Sequence, residues 1–137
     1  GDEIGMNGGH EPDSRGAFPW HDQVAWDMEL LAFYRRATGL RHAHPALRTG
    51  SFEALYADGD VYAFRRKLGE ETIIVLFNAG RTPTHVELSL HDAATVDAAF
   101  EDAWQGDTVK MQGDLLAGLT IPARDVRVLV HQDGSAA

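Results

Sequence analysis

The segment VYAFRRKLGEETIIVLFN (residues 61–78) decides the fold of this 137-residue chain. Its second half, TIIVLFN, is apolar almost throughout, which is typical of a strand covered on both faces. Leu68-Gly69-Glu70 supplies a turn between the halves. The first half alternates between two faces as a strand does, with Val61, Ala63 and Arg65 on one face and Tyr62, Phe64 and Arg66 on the other. The segment therefore predicts two strands joined by a turn.

Short β-rich runs surround this segment from Ser51 onward. Asp58-Gly59, just before it, is the signal for a tight hairpin turn of the primed type. The runs are FEALYA, VYAFRRK, TIIVLFN, HVELSL, TVDAAF, DTVKM, LLAGLTI and VRVLVH. Many short strands at this spacing predict a mainly β fold, an antiparallel β-sandwich.

A helix is predicted ahead of the strands, over about residues 22–38, with Asp22 as its N-cap and Gly39 as its end. Its apolar residues form two stripes on opposite sides, and a helix that is apolar on two faces is covered on two faces. One cover is expected to be the rest of this chain and the other a body of protein outside it. The stripes are Val24, Met28 and Leu31, and Trp26, Leu30, Phe33 and Ala37.

The composition excludes several classes of partner. A formal net charge of −9 repels phosphate backbones and anionic lipids, so neither nucleic acid nor membrane is an expected partner. Neutral sugars remain possible ligands. No run approaches the roughly 18 apolar residues of a membrane-spanning helix. The absence of cysteine excludes disulfides and thiolate metal sites, and it leaves the cellular compartment undecided. A signal peptide would lie upstream of Gly1.

The stretch GDEIGMNGGHEPDSRGAFPW (residues 1–20) concentrates polar groups in a glycine-rich loop, expected to follow the end of a strand. Adjacent residues of a strand point to opposite faces, so Asp2 and Glu3 cannot flank one glycosidic bond and are expected to act as orienting, hydrogen-bonded carboxylates. The Glu11 carboxylate offers hydrogen-bond acceptors, and the Arg15 guanidinium offers five N–H donors in a fixed planar arrangement. Both suit the vicinal hydroxyls of a sugar. A loop clamped by its own Glu–Arg ion pair is an equally open alternative.

Other polar and aromatic residues favour structural roles. Trp20 could stack on a sugar, but just before a helix it is expected to pack as a staple. His42 and His44 lie two apart with no third ligand at a recognisable spacing, so no metal site and no cofactor are predicted. The run Arg65-Arg66-Lys67 is expected to be a solvated strand end.

Residues 1–20 resemble the segment that ends barrel strand eight in the α-amylase family of glycoside hydrolases, most closely the cyclomaltodextrinase, neopullulanase and maltogenic amylase group. That group carries Gly-Asp-Glu, two glycines, Asp-Pro-x-x-Arg and Phe-Pro-Trp in this order. LLAFYRRATGLRHAHPALRTG is similar to the family's eighth barrel helix and its exit into a C-terminal β-sandwich. The resemblance implies a barrel remnant over residues 1–50 and an accessory sandwich over residues 51–137.

The resemblance also assigns roles. Arg15 matches the family's arginine that binds glucose units, and Glu11 stands where the family usually has aspartate. Asp2 and Glu3 match supporting acids at the strand end, and none of the catalytic carboxylate motifs of strands four, five and seven is present. The chain is thus expected to be a C-terminal portion of an α-glucan-acting retaining hydrolase or transglycosylase, whose partners are an α-glucan and either the missing barrel or a second copy.

Two other classes of function stay open. One is a β-sandwich that binds glycan by itself without catalysis, and the other is a structural or dimerising domain. The sequence leans away from a glycan-binding module because no exposed row of aromatic residues is evident in the sandwich, where Trp104 stands alone.

Overall fold

A computed structural model describes residues 1–10 and 15–134. The chain divides into two compact units, Gly1–Ala43 and His44–Ala137. None of the helices in the described part has the length and apolarity needed to cross a membrane. The described helices and strands are α1 (Met28–Ala43), α2 (Ala46–Thr49), β1 (Glu53–Asp58), β2 (Val61–Leu68), β3 (Glu71–Asn78), β4 (Thr84–Ser89), β5 (Ala99–Asp102), β6 (Thr108–Lys110), β7 (Leu115–Ile121) and β8 (Asp125–Gln132).

The second unit is built on two antiparallel sheets. In the part of the chain that is described, six strands follow the order β1-β2-β3-β8-β5-β6, and β4 pairs with β7 in the other sheet. The turns that lead into β2 and β3 begin at Gly59 and Gly69, whose φ angles of 56° and 58° are those that primed hairpin turns require. The predicted mainly β, antiparallel fold is confirmed.

The core lies between the two sheets. It contains Val61 and Ala63, which belong to one of the two predicted faces of β2, together with alternate residues of β3 and apolar residues of β4 and β7. Residues 72–76 are buried without interruption, as the prediction of a strand covered on both faces requires. The buried cluster comprises Val61, Ala63, Ile74, Leu76, Val86, Leu88, Leu90, Phe100, Met111, Leu116, Leu119, Ile121 and Leu129.

One predicted strand is shorter than its sequence run. In TVDAAF, strand β5 begins only at Ala99, and Ala93–Thr95 form a 3-10 turn. The Asp92 carboxylate accepts the Ala94 N–H at 3.0 Å, and Asp97 has a φ of 56°. A capped turn followed by a left-handed residue is incompatible with an extended chain, so the strand starts after it.

The prediction of a solvated strand end at Arg65-Arg66-Lys67 is wrong. Arg65 is buried and donates to the carbonyl of Leu90 at 3.0 Å. Arg66 points to the other face, and its guanidinium donates to three backbone carbonyls, those of Leu47, Gly50 and Ser51. Each guanidinium donates to backbone carbonyl groups of other segments, which is a structural role.

The segment RHAHPALRTG (residues 41–50) is largely helical. Residues 41–43 complete α1, and Ala46–Thr49 form α2 after Pro45. The Glu71 carboxylate fixes the start of this short helix, because it accepts the Ala46 N–H at 2.9 Å and lies 3.0 Å from the His44 ring nitrogen Nδ1. His44 therefore has a partner on the sheet.

Helix α1 of the first unit begins six residues later than predicted. Asp27, not Asp22, caps it: the Asp27 carboxylate accepts the Leu30 N–H at 2.9 Å. Gly39 lies inside the helix rather than at its end. The first predicted stripe is not a continuous buried face, because Val24 precedes the helix and is 97% exposed while Leu31 is buried.

Asp92 and Lys67 give the sandwich a pH-dependent contact. The Lys67 ammonium, 2.7 Å from the Asp92 carboxylate, holds the pKa of Asp92 below its usual 3.8, and the Ala94 N–H adds to this effect while partial burial opposes it. A lowered folded-state pKa stabilises the fold above the unfolded pKa and loses that contribution as the pH falls through the folded value.

We therefore expect Lys67→Met to reduce the acid sensitivity of folding. Between about pH 5 and about pH 2.5, the unfolding free energy of the variant should fall less than that of the parent chain. Urea unfolding at both pH values measures this difference. Lys110→Met, at the chain's other lysine, is the control and should keep the parental pH dependence. An equal loss in the parent chain and Lys67→Met would contradict the assignment.

Candidate functional site: the glycine-rich loop

The acids Asp2 and Glu3 lie in a single 3-10 turn, Asp2–Ile4, and not at the end of a strand as the sequence suggested. The turn is anchored by Ile4, whose side chain is buried and whose carbonyl accepts the Asp27 N–H at 2.9 Å. Because Asp27 also caps α1, the turn is fixed to the beginning of that helix. This anchor holds Asp2 and Glu3 in a defined position in the first unit.

A pocket of about 240 Å³ opens beside this turn. It is smaller than the roughly 300–1,000 Å³ of pockets for drug-sized ligands. The Asp2 carboxylate and the Asn7 amide provide acceptors and donors, and glycines let a ligand approach the backbone closely. The lining residues are Gly1, Asp2, Met6, Asn7, Gly8 and Gly16.

The two acids take different positions relative to this pocket. Asp2 lines it, whereas Glu3 does not. The backbone N–H of Glu3 lowers the pKa of its own carboxyl group. Of these two carboxylates, only that of Asp2 belongs to the pocket wall.

The residues predicted to bind sugar lie next to the pocket in sequence. Arg15 is exposed and immediately precedes Gly16, which lines the pocket. Glu11, like Asp13, lies outside the described residues. Sequence reasoning did not single out Asn7, although the NGG signal for a sharply turning backbone could have drawn attention to it. The described part of the chain holds no group of three or more His, Asp or Glu side chains placed to bind a metal.

An aromatic cluster follows the loop. The Trp20 and Phe18 rings lie 4.4 Å apart between centroids, and Phe18 meets Trp26 edge-on at 5.4 Å. Trp26 is partly buried and donates its indole N–H to the Pro19 carbonyl at 3.0 Å. Trp20 itself is 68% exposed and precedes α1 by eight residues, so its predicted role as a helix staple is wrong. The position just before the N-cap belongs to Trp26.

Comparison with known proteins places the sandwich in a known family. Residues 52–129 match the model of the neopullulanase-like C-terminal domain. This chain belongs to that family, a domain of α-amylase-family glycoside hydrolases. The resemblance drawn from the sequence is therefore confirmed.

Relatives extend the similarity through the N-terminal loop. Amylopullulanase of Thermoanaerobacter thermohydrosulfuricus is 32% identical in an alignment 145 positions long. The alignment covers 98% of this chain and 10% of that protein. Cyclomaltodextrinase of a Bacillus species is 42% identical over 87 residues, 60% of this chain and 15% of that protein. The α-amylase of Geobacillus thermoleovorans, solved in complex with acarbose, superposes with a TM-score of 0.82 at 25% identity over 98% of this chain and 29% of that one. The chain thus spans less than a third of each of these proteins.

Proposed function

We propose that this chain is the C-terminal portion of an α-glucan-acting retaining glycoside hydrolase or transglycosylase. Residues 1–50 would supply the loop and helix that follow the last strand of a (β/α)₈ barrel, and residues 51–137 would form the accessory sandwich. The observation that carries the proposal is the small polar pocket on the glycine-rich loop, in a chain whose sandwich belongs to the neopullulanase-like family. Loops at the carboxyl ends of barrel strands are where such enzymes build their sites.

Each loop residue has a proposed role. Arg15 donates charged hydrogen bonds to hydroxyls of a bound glucose unit, and Glu11 accepts hydrogen bonds from the same unit. Asp2, in the pocket wall, and Glu3, next to it in the same 3-10 turn, orient the loop. Trp20, exposed beside Phe18, offers a ring face to the sugar chain.

The proposal divides labour between this chain and the rest of the enzyme. A retaining glycosidase needs a nucleophile and an acid/base about 5–5.5 Å apart across the scissile bond. Neither role is assigned to Asp2, Glu3, Glu11 or Asp13, so both carboxylates come from the remainder of the barrel. The purified 137-residue chain should accordingly release no reducing sugar from maltodextrin or cyclodextrin, and turnover by it would contradict this division.

In the full-length enzyme, Arg15→Ala should lower turnover on maltodextrins. A charged hydrogen bond to a sugar hydroxyl contributes about 1.5–3 kcal/mol, which corresponds to a loss of roughly ten- to 150-fold. Reducing-sugar release by the parent and variant enzymes at equal concentration measures it. Asp13→Ala, in the same loop, is the control and should have a smaller effect. Unchanged turnover in Arg15→Ala would remove the sugar-binding role.

A further inference from the structure

The sandwich carries four aromatic residues on one surface, hereafter the aromatic face: Phe52, Tyr62, Phe64 and Phe77. Phe52 stacks on Phe64 with 5.1 Å between ring centroids, and Phe64 lies 6.0 Å from Phe77 and 6.1 Å from Tyr62. The interplanar angle is 28° for the stacked pair of Phe52 and Phe64, and 34° and 41° for the two tilted pairs with Phe77 and Tyr62. The expectation that the sandwich lacks an exposed aromatic row is therefore wrong.

Strand geometry places these rings on the outside of the six-stranded sheet. Val61 and Ala63 of β2 point into the core, so Tyr62 and Phe64 point to the opposite face. Tyr62 pairs across the sheet with Phe77 of β3. The neighbouring residues on the edge strand are Ala54, which pairs with Phe64, and Ala57, which pairs with Tyr62. The side chains that β1 places beside Phe64 and Tyr62 are therefore small, and they cover little of the two rings.

The rings remain accessible in the folded chain. Phe52 is 60% exposed, Phe77 42% and Tyr62 37%, whereas Phe64 beneath them is half-buried. With about 200 Å² per aromatic side chain, these fractions leave about 300 Å² of aromatic surface in contact with water. A stable protein–protein interface buries about 800 Å² on each partner, so the aromatic face is too small to hold a second copy of this chain. A patch of this size suits a short oligosaccharide.

We propose that the aromatic face is a second α-glucan-binding site, separate from the glycine-rich loop. It rests on the proposed function for the identity of the sugar. The C–H groups of a pyranose ring pack on aromatic faces, and the Tyr62 hydroxyl adds one donor and acceptor at the edge of the row. The ligand is a neutral glucan because the chain's net charge of −9 disfavours anions.

Isothermal titration of the 137-residue chain with maltoheptaose tests this site. We expect saturable binding that Phe52→Ala and Phe77→Ala each weaken about tenfold, the loss of one stacked ring. Val96→Ala removes an exposed apolar side chain of the sandwich outside the aromatic face and is the matched control. Phe52 precedes β1, so its replacement leaves the sheet intact.

Three results would overturn the proposal. One is the absence of saturable binding, and another is parental affinity in both Phe52→Ala and Phe77→Ala. The third is a dimer in sedimentation velocity that Phe77→Ala dissociates, since the aromatic face would then be a surface for self-association. The Arg15→Ala measurement in the full-length enzyme is independent of all three, so the loop proposal and the aromatic-face proposal can fail separately.

Discussion

Asp102→Ala should lower the free energy of unfolding of this chain by about 3–5 kcal/mol, the largest effect expected of any substitution considered for it. Asp102 is the last residue of β5, and its carboxylate is fully buried. One oxygen accepts the backbone N–H groups of Trp104, Gln105 and Val128 at 2.9, 2.9 and 3.2 Å. The other accepts from the Arg127 guanidinium at 3.1 Å.

The large effect follows from what alanine would leave behind. Backbone N–H groups would lose their acceptor in the interior, and the largely buried Arg127 would lose its buried counter-charge. Asp107→Ala is the matched control, because the Asp107 carboxylate also lies 3.1 Å from Arg127 but is half exposed. Exposed ion pairs contribute about 0–1 kcal/mol. Urea unfolding of both variants measures the difference, and equal losses would show that burial of the carboxylate does not matter.

The positions of the strands could be predicted from the sequence because two periodic signals agree along most of them. In residues 61–78, alternation and a continuous apolar run fall on either side of a glycine turn, and the structure has two paired strands there. The predicted start of the strand in TVDAAF (residues 95–100) was wrong. The composition of this run is typical of a strand, but Asp92 and Asp97 impose turns locally. Local hydrogen bonds from aspartate compete with the extended chain, and composition does not record them.

The roles of the charged residues of β2 could not be predicted, because their partners are distant in sequence. Arg65 bonds the Leu90 carbonyl, and Arg66 bonds carbonyls from 47 to 51. A run of three basic residues is most often solvated. Only the sheet arrangement shows that the two arginines of this run donate to backbone carbonyl groups. The same reasoning applies to the aromatic face, which needs the pairing of β2 with β3 before Phe64 and Phe77 become neighbours.

The geometry of the candidate loop site could not be predicted from the sequence, and its sugar-binding role stays a prediction. The glycine-rich segment was expected to hold polar sugar-binding groups, and a polar pocket does lie on it. The strand end assigned to Asp2 and Glu3 is a 3-10 turn, because Gly5 ends it with a φ of 72° and Ile4 is held by Asp27. A contact with residue 27 is not encoded in the local pattern of residues 1–6, so the sequence alone could not fix this geometry.

Gly50→Ala is the second substitution expected to have a large effect. A Cβ atom at Gly50 would come closer than 3.0 Å to two backbone oxygens, those of Ala46 and Lys67. Neither oxygen can move freely, since Ala46 O accepts the Gly50 N–H at 3.1 Å and Lys67 O accepts the Ser51 N–H at 2.8 Å. The φ of −69° at Gly50 suits any residue, so space and not backbone strain requires glycine there.

We expect Gly50→Ala to reduce the free energy of unfolding by about 3 kcal/mol, the upper range for forcing a methyl group into a packed site. The backbone shift it imposes would also pull the Gly50 carbonyl away from Arg66, which donates to it at 3.1 Å. Gly39→Ala is the control: it lies inside α1 with nothing near its added methyl group, and alanine there should stabilise the helix by about 0.5–1 kcal/mol. Chemical denaturation followed by circular dichroism measures both variants. If Gly50→Ala unfolds at the same urea concentration as the parent chain, the segment between α2 and β1 is not held closely against β2.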